Sequence, residues 1–177
     1  MAPLTQKDID YIDSNFKWPL QYDDIWNRYV VMLFPAFLLF LGLIIPIEIG
    51  LTKFSASWAI LLLGFAVYFI IYHSKRIEAE RKFYSIPVTS FQLTNIEEYL
   101  KQLKWTILEK NSSYISARTP TSLTSWGENI TILFRENELL FNSRPDAQPN
   151  TYKRDCVNFE ALYNLLNNDA KQLTDRL

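Results

Sequence analysis

Two apolar runs, Tyr29 to Ile47 and Ser55 to Tyr72, contain no Asp, Glu, Lys or Arg. As helices, each is about long enough to cross a hydrocarbon core roughly 30 Å thick. Few folds accept such runs: they become core helices of a larger body or they face lipid. Neither run has a polar face, which favours lipid. The linker between them, Glu48 to Phe54, is too short for a domain. The sequence therefore predicts a membrane α-hairpin of two transmembrane helices over residues 29–72, with both chain ends on one side of the bilayer.

Aromatic rings at the ends of the runs fit headgroup-level anchors: Trp26, Tyr29, Trp58 and Tyr72. A secretory signal does not fit, because a long Asp-rich segment precedes the first run where a short basic one is needed. Lys75, Arg76, Arg81 and Lys82 follow the second run, while Lys53 is the only basic residue in the linker. This asymmetry predicts a multi-pass protein of the cell's inner membrane with both termini cytoplasmic. Pro35 removes the amide that would bond the Val31 carbonyl and is expected to bend the first span. It is thus a candidate hinge, with Phe37 and Leu41 as candidate pore-lining positions.

Outside the runs, residues 1–28 form an N-terminal cytoplasmic segment. It carries a short amphipathic helix over residues 5–16, where Thr5 and Asp8 form a capping box. Ile9, Ile12 and Phe16 share its apolar face, expected to lie on the membrane surface or a neighbouring chain. Residues 73–87 read as a basic juxtamembrane stalk, helical to Tyr84 and broken at Pro87. Residues 88–177 read as a small cytoplasmic α+β domain, an antiparallel sheet with two helices on one side. Thr94 and Glu97 signal a capped helix, and strand-like runs cover residues 105–109, 114–118, 127–134 and 138–141. A further edge strand is expected over residues 152–156, followed by a last helix capped by Asn158.

The chain of 177 residues has one Cys, one His and a formal net charge of −1. One cysteine excludes an intramolecular disulfide. Gly127 is the only glycine after the apolar runs, too few for a phosphate-cradling loop or a dinucleotide fingerprint. A single histidine, His73, excludes His-paired metal sites and limits any nucleophile–imidazole couple to one ring at the membrane boundary. It also lacks the preceding Arg of HEPN-type ribonucleases, since Ala66, Val67 and Tyr68 occupy those places. No catalytic residue, metal or cofactor is expected, and the charge predicts no duplex nucleic acid partner. The best candidate ligand surface is the loop from Arg118 to Trp126, with Ser122 among its hydroxyls. Its guanidinium and indole could hold a phosphate and stack a base. Arg144, Lys153 and Arg154 make a second basic group across the predicted sheet.

The order of parts, a two-span hairpin joined by a basic stalk to a motif-poor α+β domain, resembles the compact membrane effectors of prokaryotic antiviral defence. These include small CRISPR-associated membrane proteins and two-span effectors triggered by cyclic nucleotides. The resemblance implies a homo-oligomer that forms a pore or depolarises the inner membrane, controlled by its cytoplasmic domain and by an upstream defence protein or nucleotide signal. The alternative is a non-catalytic accessory or anchoring subunit of a larger membrane complex. In both, the lipid bilayer is a partner.

Overall fold

A computed structural model describes residues 3–20, 30–50, 53–121, 126–146 and 153–174. The chain divides into two compact units, one made of residues 1–19 with 80–177 and the other of residues 20–79. The first unit is therefore interrupted in sequence by the second.

The first unit is built on a five-stranded antiparallel sheet in the order β1-β5-β4-β3-β2. Its strands are β1 (Tyr84–Pro87), β2 (Thr106–Lys110), β3 (Tyr114–Arg118), β4 (Glu128–Phe134) and β5 (Glu138–Pro145). Strict alternation gives the central strands two unlike faces. On one, Ile115, Ala117, Ile130, Ile132, Leu139 and Phe141 form the main core. It is closed by Ile96, Tyr99 and Leu100 of a short helix (Ile96–Gln102) and by Leu162 and Leu166 of the C-terminal helix (Arg154–Thr174). On the other face, Tyr114, Leu133 and Leu140 pack under Ile12, Trp18 and Phe83. The edges carry features that discourage further pairing: Pro87 ends β1, and the register of β2 shifts between Ile107 and Glu109.

The N-terminal helix α1 (Gln6–Asn15) has the predicted capping box, with Asp8 N donating to Thr5 Oγ1 at 3.3 Å and Thr5 N donating to Asp8 Oδ2 at 3.1 Å. Its place differs from the expected one on a membrane surface or a neighbouring chain. Ile12 is fully buried in the second core, because the narrow stripe of α1 matches the apolar patch of Tyr114, Leu133 and Leu140. The sheet is thus covered on both faces. Other boundaries move for local reasons. The capping box forms at Thr89 and Gln92, one turn before Thr94, with Thr89 N donating to Gln92 Oε1 at 2.9 Å. The stretch read as the end of the stalk is strand β1, and residues 154–156 belong to the C-terminal helix, not to an edge strand.

In the second unit a 3-10 turn (Val30–Met32) leads into α2 (Leu33–Ile49), and α3 runs Lys53–Glu80. Among the described residues the predicted two-span transmembrane hairpin is not present. The turn shortens the first apolar run to 17 α-helical residues, about 25 Å at 1.5 Å per residue. Among the described residues one helix, Ala56–Glu80, is long and apolar enough to cross a membrane, and Leu33–Glu48 falls short. A multi-pass arrangement is accordingly not supported. Only 17% of the apolar stretch of that longer helix is buried, unlike a core helix.

Pro35, the candidate hinge, lies in the first turn of α2, where its missing amide would be unpaired anyway. Pro46 is the proline inside the helix, and it removes the amide that would bond the Gly42 carbonyl. Gly42 itself allows close approach, since a Cβ there would come within 3.0 Å of the Leu63 side chain. Phe34 meets Phe69 edge-on at 5.8 Å. Phe37 is exposed and Leu41 half-buried.

Tyr114 joins α1 to the sheet, its hydroxyl donating to Glu109 Oε1 at 2.6 Å and accepting from Leu4 N at 3.1 Å. Burial, followed by the bond to Glu109, raises its pKa above the ordinary value of 10.0. The neutral phenol favours the folded state, so its stabilisation is complete below the unfolded pKa and is lost as pH rises through the folded one. Denaturant titrations should show stability falling above about pH 10. Tyr114→Phe should flatten that alkaline slope and cost about 1 kcal/mol at neutral pH.

Candidate functional site

The second face of the sheet is apolar only at one end. Registered pairing sets its side chains in rows of three across β3, β4 and β5: Tyr114, Leu133 and Leu140; then Ser116, Thr131 and Asn142; then Arg118, Asn129 and Arg144. The first row takes the apolar stripe of α1. The other two make a polar floor, and most of it is out of contact with water: Ser116, Thr131, Asn142 and Arg144 are all buried. The Thr131 hydroxyl finds no hydrogen-bond partner there.

Asn142 is the centre of this floor. Its Oδ1 accepts from Trp18 Nε1 at 2.8 Å, and its Nδ2 donates to the carbonyls of Glu80 at 2.9 Å and Lys82 at 2.7 Å. One amide thereby holds the segment that precedes the apolar unit and the segment that follows it. Backbone bonds pair the same two segments directly, from Trp18 N to Arg81 O at 2.9 Å and from Phe83 N to Phe16 O at 2.8 Å. The Arg81 guanidinium returns to the Trp18 carbonyl, donating from Nη2 at 2.6 Å and Nε at 3.1 Å. Arg144 lies 5.0 Å over the Trp18 ring, a cation–π contact that strengthens when desolvated. Residues 16–18 and 81–83 form a two-stranded strap lashed to β5.

At the far end of the floor, Arg118 forms an ion pair with Asp146, and Asn129 Nδ2 donates to Asp146 Oδ1 at 2.7 Å. Arg118 Nη2 donates to Trp126 O at 3.3 Å. Gly127 sits at φ 106, and a Cβ there would meet the Thr119 carbonyl at 3.1 Å, so the return needs glycine. Trp126 stays 62% exposed at the rim.

The ligand-binding residues picked from the sequence are gathered at this end but divided between faces. Arg118 and Arg144 share one row. Lys153 and Arg154 stand at the start of the C-terminal helix against the other face, where Asn158 Nδ2 donates to Ser143 Oγ at 2.9 Å. Ser122 lies outside the described residues, as do Trp26 and Tyr29. Of the other interface candidates, Trp58, Tyr72, Lys75 and Lys82 are exposed, and Arg76 is half-buried. Arg81 is buried in the strap and serves structure. His73 packs in the second unit, its ring 4.1 Å from Phe69 and 5.2 Å from Tyr72. Cys156 is exposed on the C-terminal helix. Among the described residues no cluster of three or more His, Cys, Asp or Glu could hold a metal ion.

Sequence reasoning missed Trp18, Ser116, Asn129, Thr131 and Asn142. A signal was present: the apolar run Leu139-Leu140-Phe141 gives way at Asn142, at the parity of Leu140, to Ser143 and Arg144. The floor hydrogen-bonds and holds chain segments. Asn142→Ala takes this partner from two buried groups, Trp18 Nε1 and the Glu80 carbonyl, and from the part-buried Lys82 carbonyl, and should cost about 3 kcal/mol by denaturant titration. Thr131→Val replaces an unsatisfied hydroxyl with a methyl group of similar shape and should be neutral or stabilising by up to about 1 kcal/mol. Compared with known proteins, the chain matches no family model, no curated protein and no solved structure.

Proposed function

We propose that the chain is a non-catalytic accessory module anchored in the cytoplasmic membrane by its apolar unit, with the α+β unit as a docking body. The observation that carries this reading is the strap. Residues 16–18 and 81–83 flank the apolar unit and belong to one fold. A single crossing would place them in different compartments and pull that fold apart. The apolar unit therefore enters and leaves the bilayer on one side.

A second support is the exposed apolar surface of α2 and α3. Leu33, Phe37, Phe40, Leu43 and Ile47 on one helix and Ile60, Leu61, Phe65 and Tyr68 on the other are open. Exposed apolar area on that scale calls for lipid or a partner. The basic residues Lys75 and Lys82 after the apolar unit support a cytoplasmic position for the α+β unit.

The protein should stay with membranes after alkaline carbonate extraction, and release into the supernatant would remove the anchor. In a Cys156→Ser background, cysteines placed at Asp8 and Asn168 should both resist an impermeant thiol reagent in intact cells and both react after lysis. Labelling of one alone would contradict the one-sided anchor. Purified protein that runs as a closed multimer and releases ions from liposomes would replace the accessory reading with the pore-forming one.

A further inference from the structure

The joint between α1 and the strap is one residue long and strained. Phe16 caps α1 through its amide, which donates to the Ile12 carbonyl at 2.7 Å, while its own carbonyl accepts from Phe83 N at 2.8 Å. To do both it sits at φ 52 and ψ 33, in the left-handed region that a bulky L-residue seldom enters. On the far side of this joint α1 is a self-contained element. Its capping box and the side-chain bonds from Gln6 to Asp10, from Ser14 to the Asp10 carbonyl and from Asn15 to the Tyr11 carbonyl all stay within residues 5–15. A short set of contacts ties it to the sheet. Leu4 N donates to the Tyr114 hydroxyl, Ile12 with Leu4 and Ile9 covers the patch of Tyr114, Leu133 and Leu140, and Asp13 pairs with Arg135 at the turn between β4 and β5. The same segment of another copy can make every one of these contacts.

We propose that α1 exchanges between two copies of this chain, each seating its residues 4–15 on the sheet of the other in a closed two-fold dimer. A short joint under strain favours such exchange, because opening relieves the joint while the contacts of the exchanged element are all kept. A helix of ten residues is marginal alone in water, so α1 once lifted has to be seated again. A second copy offers it an identical apolar patch with the same cation beside it. Trp18 stays on its own Asn142, and the direction of the chain changes at Phe16. All residues involved belong to the α+β unit, so exchange goes beyond the membrane-anchor reading and stands apart from it.

The test uses the full chain in mild detergent, with mass read by light scattering and pairing read with two affinity tags. Wild type should form dimers. Asp13→Arg sets a cation opposite Arg135, and Arg135→Asp sets a carboxylate opposite Asp13, so dimers of either variant with itself oppose like charges at both seats. Exchange between the two variants gives one seat the native pair and the other the reversed pair, which no closed monomer can do. When the two are co-expressed, mixed dimers should outnumber like dimers by about tenfold or more. A statistical half of mixed dimers places the contact elsewhere and overturns exchange. Phe16→Gly and Phe16→Val both lose the ring over which Arg135 lies at 5.9 Å, and they differ in how they tolerate a left-handed joint. Glycine relaxes the closed form, so Phe16→Gly should dimerise about tenfold more weakly than Phe16→Val. Equal dissociation constants overturn the joint as the source of exchange, and monomers of both wild type and Phe16→Val at every concentration overturn the dimer. Carbonate extraction reads the membrane anchor separately, so its failure is distinct from failure of exchange.

Discussion

The organisation of this chain depends on one side-chain amide in the middle of a β-strand. Asn142 occupies a position whose strand parity calls for an apolar residue, yet it accepts from Trp18 and donates to the carbonyls of Glu80 and Lys82. Each of these bonds reaches a segment that borders the apolar unit. Burying an amide is costly unless its donors and acceptors are met. Here they are met by the Trp18 indole and by two backbone carbonyls of the segment that follows the apolar unit, and this gives the sheet face the specificity to hold two chain segments in one register.

Polarity on this face therefore has an architectural use. Leu140 and Leu133 cover the part of the sheet that α1 can reach, and beyond them the rows turn to Ser116, Thr131 and Asn142, then to Arg118, Asn129 and Arg144. An all-apolar continuation would pack against any apolar surface. A row of amides and guanidinium groups accepts only partners that match its donors, and Trp18, with an indole N–H to donate and a ring face for Arg144, is such a partner.

Much of the sheet was legible from alternation alone. Tyr114 to Arg118 was placed as observed, and Ile130, Ile132 and Phe134 share a face. The strand at Tyr84 was not legible, because Lys75 to Lys82 reads as a solvated helix and periodicity carries no mark where that helix stops at Glu80. The candidate site was hidden for another reason. Trp18, Arg81 and Asn142 are far apart in sequence, so their meeting is a consequence of pairing between β1 and β5 and of the strap, neither of which has a local signature. Arg81 is the instructive case. Counted as one of four basic residues after an apolar run, it looks like a determinant of membrane orientation, whereas its guanidinium is consumed by the Trp18 carbonyl. The two-helix hairpin was overread because a run of uncharged residues gives no sign of where an α-helix begins. Val30–Met32 spends its share of the run in a 3-10 turn.

The order in which the chain is made also bears on how it assembles. The bonds from Leu4 to Tyr114 and from Trp18 to Asn142 span 110 and 124 residues. A chain emerging from its N-terminus at some 5–20 residues per second presents Ile12 and Trp18 long before the strands that receive them exist. Closing so long a loop carries an entropic cost that only the finished sheet can repay. The apolar helices emerge in the interval, with their surroundings still to be chosen. Residues 4–18 are then made before the strands that receive them and seated after those strands exist, as a lock that closes over a finished sheet.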